Sequence, residues 1–319
     1  MTKGVTTMTG ANGQKFRTTP VLTRLSRDYQ LYTMLIPFLV LLLIFSYVPM
    51  TGVIIAFKEY RLGQGMYGGA EWVGFKHFER IFGDMLFLRA FRNSMIIACL
   101  RIAVCLPGAV LLALLLFEVR SRVFKGIVQT CVYLPRFLSW VIVASFCIAL
   151  LNPDQGINAL LRGAGLSPVT LSNAGQFRYI IIVTDLWKDV GFNSVLFTAA
   201  IMAIDPSLYE SAEMDGAHRG HKMLFITLPM IRNTIIIVFV LWVSLIVNVG
   251  FDQVFNLYNP PVYATGDIID TFIYRTAFTG MMNKFSLSAA AGLFKSVICI
   301  VLLAGAEAFS RFIGESALF

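Results

Sequence analysis

Residues 91–117 read FRNSMIIACLRIAVCLPGAVLLALLLF. From Met95 to Phe117 the single charged side chain is Arg101. A helix rises about 1.5 Å per residue, so this stretch reaches roughly 40 Å. The hydrocarbon core of a bilayer is about 30 Å thick, so the stretch is long enough to cross it. Outward from here, five more apolar runs have spanning length. They cover about Leu31–Phe57, Ile127–Leu151, Arg178–Ile204, Ile231–Phe251 and Leu287–Phe309. Pro37, Pro49 and Pro107 lie inside predicted spans. Neighbouring helices in a membrane bundle can satisfy the carbonyls that proline frees.

Composition agrees with this reading. The 319 residues are 57% hydrophobic and 14% charged, with a mean hydropathy of +0.73. Soluble domains carry about 25% charged residues, so an ordinary soluble globular protein is excluded. The expected fold is all-α: a polytopic membrane protein of six transmembrane helices. Residues 1–30 form a polar, basic tail with an amphipathic elbow from about Pro20, and 31–319 form the six-helix domain. The first apolar run is too long for the core of a cleaved signal peptide. The net charge of +8 is scattered over segment ends and predicts no nucleic-acid partner. It suits anionic membrane lipid instead. All five cysteines fall inside apolar stretches, and no CxxC pair occurs.

Lysine and arginine in short loops predict orientation. The tail carries Lys3, Lys15, Arg17, Arg24 and Arg27, and the link from Glu118 to Gly126 carries Arg120, Arg122 and Lys125. The loop 152–177 has only Arg162. Both termini are therefore expected in the cytoplasm. Residues 58–92 dissent, with six cations in a segment expected outside.

The inner loop 205–230 departs from the positive pattern. It reads DPSLYESAEMDGAHRGHKMLFITLPM and holds four acids. Asp205 suits an N-cap and Pro206 the first helical position. Ser207 and Glu210 offer an alternative capping box. Gly216 permits a sharp stop or a close backbone approach. An amphipathic helix between two spans reads as a docking knob.

At these residues the chain resembles the permease subunits of type I ABC importers. Their loop carries E-A-A, three residues, Gly, nine residues, then Ile-x-Leu-Pro. Glu210, Ser211, Ala212, Gly216, Ile226, Leu228 and Pro229 match that spacing, with Ser in place of the first Ala and Asp215 inside the motif. The resemblance covers about residues 30–315. Segments such as WVGFKHFERIF, LPRFLSWVIV and DTFIYRTAF look like the subgroup importing oligosaccharides from complex polysaccharides, uronate-containing ones among them. Arg136 departs from the expected uncharged or aromatic residue. The resemblance implies a coupling helix seated on a dimer of ABC ATPase subunits. It further implies a second permease subunit, an extracytoplasmic sugar-binding protein and the bacterial cytoplasmic membrane. No GxxxxGK[ST] is present; GANGQK at 10–15 lacks its spacing and hydroxyl. ATP and Mg²⁺ are therefore expected on the ATPase, and no cofactor on this chain, which is not itself an enzyme.

Four cations lie deep in predicted spans: Arg101, Arg136, Lys188 and Lys295. Each costs about 2.5–3.5 kcal/mol if it faces lipid at a helix centre. Asp185 stands three residues before Lys188, a spacing that permits self-neutralisation. Arg101, Arg136 and Lys295 have no acid within one helical turn. All four, Lys188 included, are candidates for a polar path taking an acidic substrate, with Arg101, Arg136 and Lys295 in a shared cavity; pairing with acids on the partner permease or snorkelling to an interface is the alternative. His218 and His221 lack a third metal ligand and read as solvated loop residues. Tyr258, Tyr263, Phe272 and Tyr274 fit either sugar stacking or an interfacial belt. The rival class is an ion-coupled secondary transporter or channel, which predicts inverted repeats.

Overall fold

The computed structural model describes residues 7–9, 15–17, 29–61, 63, 65, 68–244, 250–279 and 284–312. The elbow expected from Pro20 lies outside these residues, apart from its last positions. The chain divides into two compact units, Met1–Ile54 and Ile55–Phe319.

The first unit opens with an antiparallel pair, β1 (Thr7–Thr9) and β2 (Lys15–Arg17), in the register Met8 opposite Phe16. The polar, Thr- and Gly-rich start predicts disorder, and the pair corrects that expectation; in the sequence, Asn12-Gly13 between the strands is a strong hairpin signal. Helix α1 (Tyr29–Leu42) contains Pro37 and continues through a π turn at Leu43–Tyr47 and a 3₁₀ stretch at Thr51–Phe57. Such departures are expected where proline removes a rung of the helical ladder.

In the second unit, α2 (Lys76–Gly83) precedes α3 (Met85–Glu118), which is capped by Asp84 accepting from the Leu86 amide at 2.8 Å. Pro107 sits within α3. Next come α4 (Arg122–Tyr133), α5 (Trp140–Leu150) and α6 (Gly156–Gly163). Then follow α7 (Ala174–Met202), α8 (Pro206–Met214) and α9 (Arg219–Lys222), the last running through a π turn to Met230. Then come α10 (Arg232–Ser244), α11 (Phe251–Leu257), a one-turn helix at Tyr263–Gly266, α12 (Ile269–Phe278) and α13 (Phe285–Phe312).

Among the described residues three helices can cross a membrane by length and composition: Tyr29–Phe57, Met85–Glu118 and Phe285–Phe312. The count rises to six when each bent pair is taken as one span. The third expected span is not straight. Arg122–Phe137 and Trp140–Leu150 meet at 103°. Pro135 ends α4 in a 3₁₀ turn, Leu138 is extended, and Ser139 starts a new helix by accepting from the Ile142 amide at 3.3 Å. Eleven residues of α5 rise only about 16 Å, short of the ~30 Å core. A 59° bend near Ile231, between Arg219–Met230 and Arg232–Val243, marks the start of the fifth expected span, whose stretch 245–249 lies outside the described residues.

Packing centres on α3 and α7, which lie along one another. Helices in lipid gain little from the hydrophobic effect and associate through close packing of small residues. Ala98, Ala109 and Ala113 of α3 are buried accordingly. Gly191 lets α4 approach α7: a Cβ there would stand 2.0 Å from the Val132 carbonyl oxygen. Phe197 and Ile201 of α7 pack with Leu106 and Ala109 at one level, and Phe177 and Ile181 with Ile97 and Val254 at another.

Candidate functional site

The loop from Asp205 to Met230 gathers at one end of α3. Asp205 accepts from the Ser207 amide at 2.9 Å and caps α8, with Pro206 in the first turn. This bond holds the Asp205 carboxyl below the usual carboxylate range. The alternative box from Ser207 and Glu210 is not formed. At the other end the Ala217 amide reaches the Ala212 carbonyl at 2.9 Å and the Gly216 amide reaches Glu213 at 3.0 Å. Gly216 has φ +77° with open space around it, so it makes a sharp stop rather than a close approach.

Three contacts tie α8 to its surroundings, and a fourth ties α9 to the end of α3. The Tyr209 hydroxyl lies 2.9 Å from the Thr227 hydroxyl, and its ring lies 5.8 Å from that of Phe117. Lys222 bonds Glu213 at 2.5 Å, which lowers the Glu213 carboxyl below its usual range. Arg219 lies 3.8 Å from Glu118. The loop thus sits beside the basic link that begins at Glu118. Ser211 and Ala212 of α8 and its C-cap Asp215 line a groove of about 340 Å³ together with Ile226 and Pro229. Leu228 turns the other way, against the buried cluster around Phe197 and Ile201. Leu208, Phe225 and Met230 at the groove are exposed, as is Met214 nearby at 88%. Exposed apolar surface of this kind marks an interaction site. Glu210 is exposed beside it, with no ion-pair partner among the described residues.

The deep cations are arranged differently from the sequence expectation. Arg101 engages both carboxylate oxygens of Asp185, and the Cys105 thiol lies 3.4 Å from the same group. Arg136 Nη1 bonds Asp189 at 2.8 Å. Lys295 Nζ bonds Asp270 at 2.5 Å. The acids that the spacing did not supply come from other helices of the same chain, so neither a substrate nor a partner permease is needed to neutralise them. Self-neutralisation of Asp185 by Lys188 is also overturned. Arg101 takes Asp185, and Lys188 donates to the Arg136 carbonyl at 2.9 Å and sits 5.3 Å from the Trp140 ring centre. That carbonyl belongs to the 3₁₀ turn at the bend, where the helical ladder is broken. Sequence reasoning missed Asp185 and Asp270 as partners. The available signal was Asp185 and Asp189 at i,i+4, one turn apart on the same face.

The aromatic candidates divide. Phe272 is buried against Phe87 and belongs to the core. Tyr263 packs on Tyr258 and under the Arg275 guanidinium, which pairs with Asp267. Tyr274 borders a cavity of about 420 Å³ near α5, α11 and α12. His218 caps α9 and lies within 2.7 Å of His221. No cluster of three or more metal-ligating side chains occurs among the described residues.

Residues 105–315 match the family described as binding-protein-dependent transport system inner membrane component. The chain belongs to this family. Protein LplB of Bacillus subtilis (strain 168) is 40% identical over 96% of this chain and 98% of its own length. The polygalacturonan/rhamnogalacturonan transport system permease protein YteP of the same organism is 38% identical, over 94% and 93%. A chain in the crystal structure of a bacterial alginate ABC transporter, in complex with an alginate pentasaccharide-bound periplasmic protein, superposes with a TM-score of 0.85. It is 38% identical, covering 94% of this chain and all of that one. The family match contains the whole of α8 and its groove, and both partners of the Lys295–Asp270 pair. The chain is therefore a permease component of a membrane transporter of the ABC importer class.

Proposed function

We propose that the chain forms part of the translocation pore of an ATP-driven importer of polysaccharide-derived oligosaccharides. An extracytoplasmic binding protein delivers the sugar, a second permease subunit completes the pore, and a pair of separate ATPase subunits hydrolyses ATP with Mg²⁺. The relatives for polygalacturonan, rhamnogalacturonan and alginate support the substrate class. The site is the cytoplasmic membrane, with the tail 1–30 and both termini inside.

The observation that carries the mechanism is the exposed apolar groove between α8 and Pro229, with Glu210 free at its edge. Docked in an ATPase cleft, α8 moves when nucleotide closes that dimer. Its ties through Tyr209 and Glu213, and the Arg219–Glu118 pair of the adjoining α9, carry the displacement into α3 and the segment before α10. The bundle then alternates between inward- and outward-facing states. Of the four deep cations proposed for the pathway, Arg136 keeps the most open side chain, at 46% exposed, and is the one assigned to substrate. The others hold helices together.

The test uses Glu210→Lys and Gly216→Pro in the complete transporter. Neither lies within a span, so membrane abundance stays normal while uptake falls at least about tenfold, a coupling loss near 1.4 kcal/mol. Co-purification of the ATPase weakens in the Glu210 variant. Normal uptake in both variants sinks the coupling assignment; uptake without any ATPase present favours the ion-coupled class.

A further inference from the structure

We propose that α2 and the turn before it form a membrane-interface anchor at the bilayer face opposite the docking loop. Trp72, Phe75 and Phe82 enter the boundary between headgroups and acyl chains, and Arg80 and Arg92 bind the phosphates of anionic phospholipid.

Helix α2 presents three sides. His77 and Ile81, one turn apart, are buried, with Ile81 in the cluster of Phe87, Phe272 and Leu287. Phe75 and Phe82, two turns apart on a second side, are 69% and 49% exposed, and Trp72 is 60% exposed. Phe57 stacks on Trp72 at 5.7 Å and meets Phe75 edge-on at 5.6 Å, so the rings form one surface. Lys76 and Arg80 are exposed on the third side. Soluble proteins rarely expose a contiguous patch of this kind. A helix with aromatic residues on one side and cations on another lies in the plane of a membrane interface, where tryptophan is enriched.

Depth decides what covers the patch. The Phe82 ring lies 5.0 Å from that of Phe294, and the Phe91 ring lies 5.9 Å from it. Phe294 stands seventeen residues before Arg311 on the unbroken α13, about 25 Å at ~1.5 Å per residue. The Arg311 side chain is exposed at the end of that helix. The hydrocarbon core is about 30 Å thick, so Phe82 and Phe91 stand near its far boundary. Arg92 stands at the same level and heads an exposed stripe of α3 that continues through Cys99, Ala103 and Leu111. Charge points the same way. Segment 58–92 carries six cations against four acids, an excess that orientation alone does not explain. Lys76 spends its charge on Glu59 at 3.4 Å, whereas Arg80 and Arg92 are exposed and have no ion-pair partner among the described residues. A guanidinium fork matches phosphate oxygens bidentately.

The first test places the complete transporter in vesicles of phosphatidylcholine brominated either high or low on the acyl chains. Tryptophan quenching in the wild type, less that in Trp72→Phe, isolates Trp72. That component should be quenched at least about twofold more by the shallow bromines, as for a ring at the interface. Equal quenching by both lipids, or none, overturns the anchor. The second test is thermal unfolding of the complete transporter in detergent, which gives apparent dissociation constants for dioctanoyl phosphatidylglycerol and dioctanoyl phosphatidylcholine. Each arginine near an anionic surface adds roughly fivefold, so the wild type should prefer the phosphatidylglycerol by at least about tenfold. Arg80→Gln with Arg92→Gln should bring the two lipids within about twofold, with assembly intact. A preference unchanged by this pair overturns the headgroup site. So does an equal shift from inorganic phosphate, which assigns the arginines to a free anion. Phe75→Ser with Phe82→Ser should leave the companion permease subunit in the complex on gel filtration. Its loss assigns the patch to a protein partner and overturns the proposal.

Discussion

Replacing Asp185 by Asn strands Arg101 in the middle of the bundle. Asp185 is 3% exposed at its side chain and Arg101 23%. Removing one partner of a buried pair costs about 3–5 kcal/mol. Arg101 retains some exposure and can recruit water, which places the expected loss near the lower end, about 3 kcal/mol. For a chain of this size 1 kcal/mol shifts the midpoint by about 2–4 °C, so the melting temperature should fall by roughly 6–12 °C. Arg101→Gln should behave similarly, because it leaves Asp185 as a buried uncompensated acid. The double replacement Arg101→Leu with Asp185→Leu should recover at least half of the loss, since a buried pair exchanged for apolar residues is often neutral. The assay is thermal unfolding of the purified complex, with gel filtration to follow assembly. If Arg101→Gln melts like the wild type and loses only uptake of an acidic oligosaccharide, the internal pairing is wrong and the arginine faces substrate.

Topology is checked in a cysteine-free background: Arg122→Cys and Ala264→Cys should label from opposite sides, and labelling of both by one impermeant reagent in intact cells overturns the six-span reading. Gly191→Val should lower the melting temperature by several degrees or abolish assembly, because its Cβ would sit 2.0 Å from the Val132 carbonyl oxygen; an unchanged melt refutes the close α4–α7 approach. Glu213 titrates below the ordinary carboxylate range because Lys222 stabilises its charged form. Its tie is therefore fully present above the unfolded value of about 4.3 and is lost as pH falls through the lowered folded value. Lys222→Gln should move the Glu213 carboxyl resonance in ¹³C NMR back toward the ordinary titration range, and no movement removes the tie.

Much of this architecture is legible in one dimension. Apolar run length against bilayer thickness marks each crossing, since the need to bury backbone polar groups in lipid leaves helices as the solution for an open chain. The cap at Asp205, the first-turn Pro206 and the stop at Gly216 are local events within about three residues, and the structure has them where the sequence places them. The register from Glu210 to Pro229 is likewise a matter of spacing. The sequence also flags four deep cations, because an unpaired charge in lipid is costly wherever it falls.

The partner of each cation was decided by tertiary structure alone. Arg101 and Asp185 are 84 residues apart, and Lys295 and Asp270 are 25 apart. Only the packing of α3 on α7 and of α12 on α13 brings them together. The same packing redirects Lys188 from its nearest acid to a carbonyl of the turn at Pro135. A residue-level periodicity could not foresee that turn as a 103° bend, because proline is tolerated in other spans of this chain, at Pro37 and Pro107. The cavity beside Tyr274 is assembled from three separate segments, around Trp140, Phe251 and Tyr274. Sequence spacing records which groups lie on one helix face. Which charges cancel depends on contacts between helices.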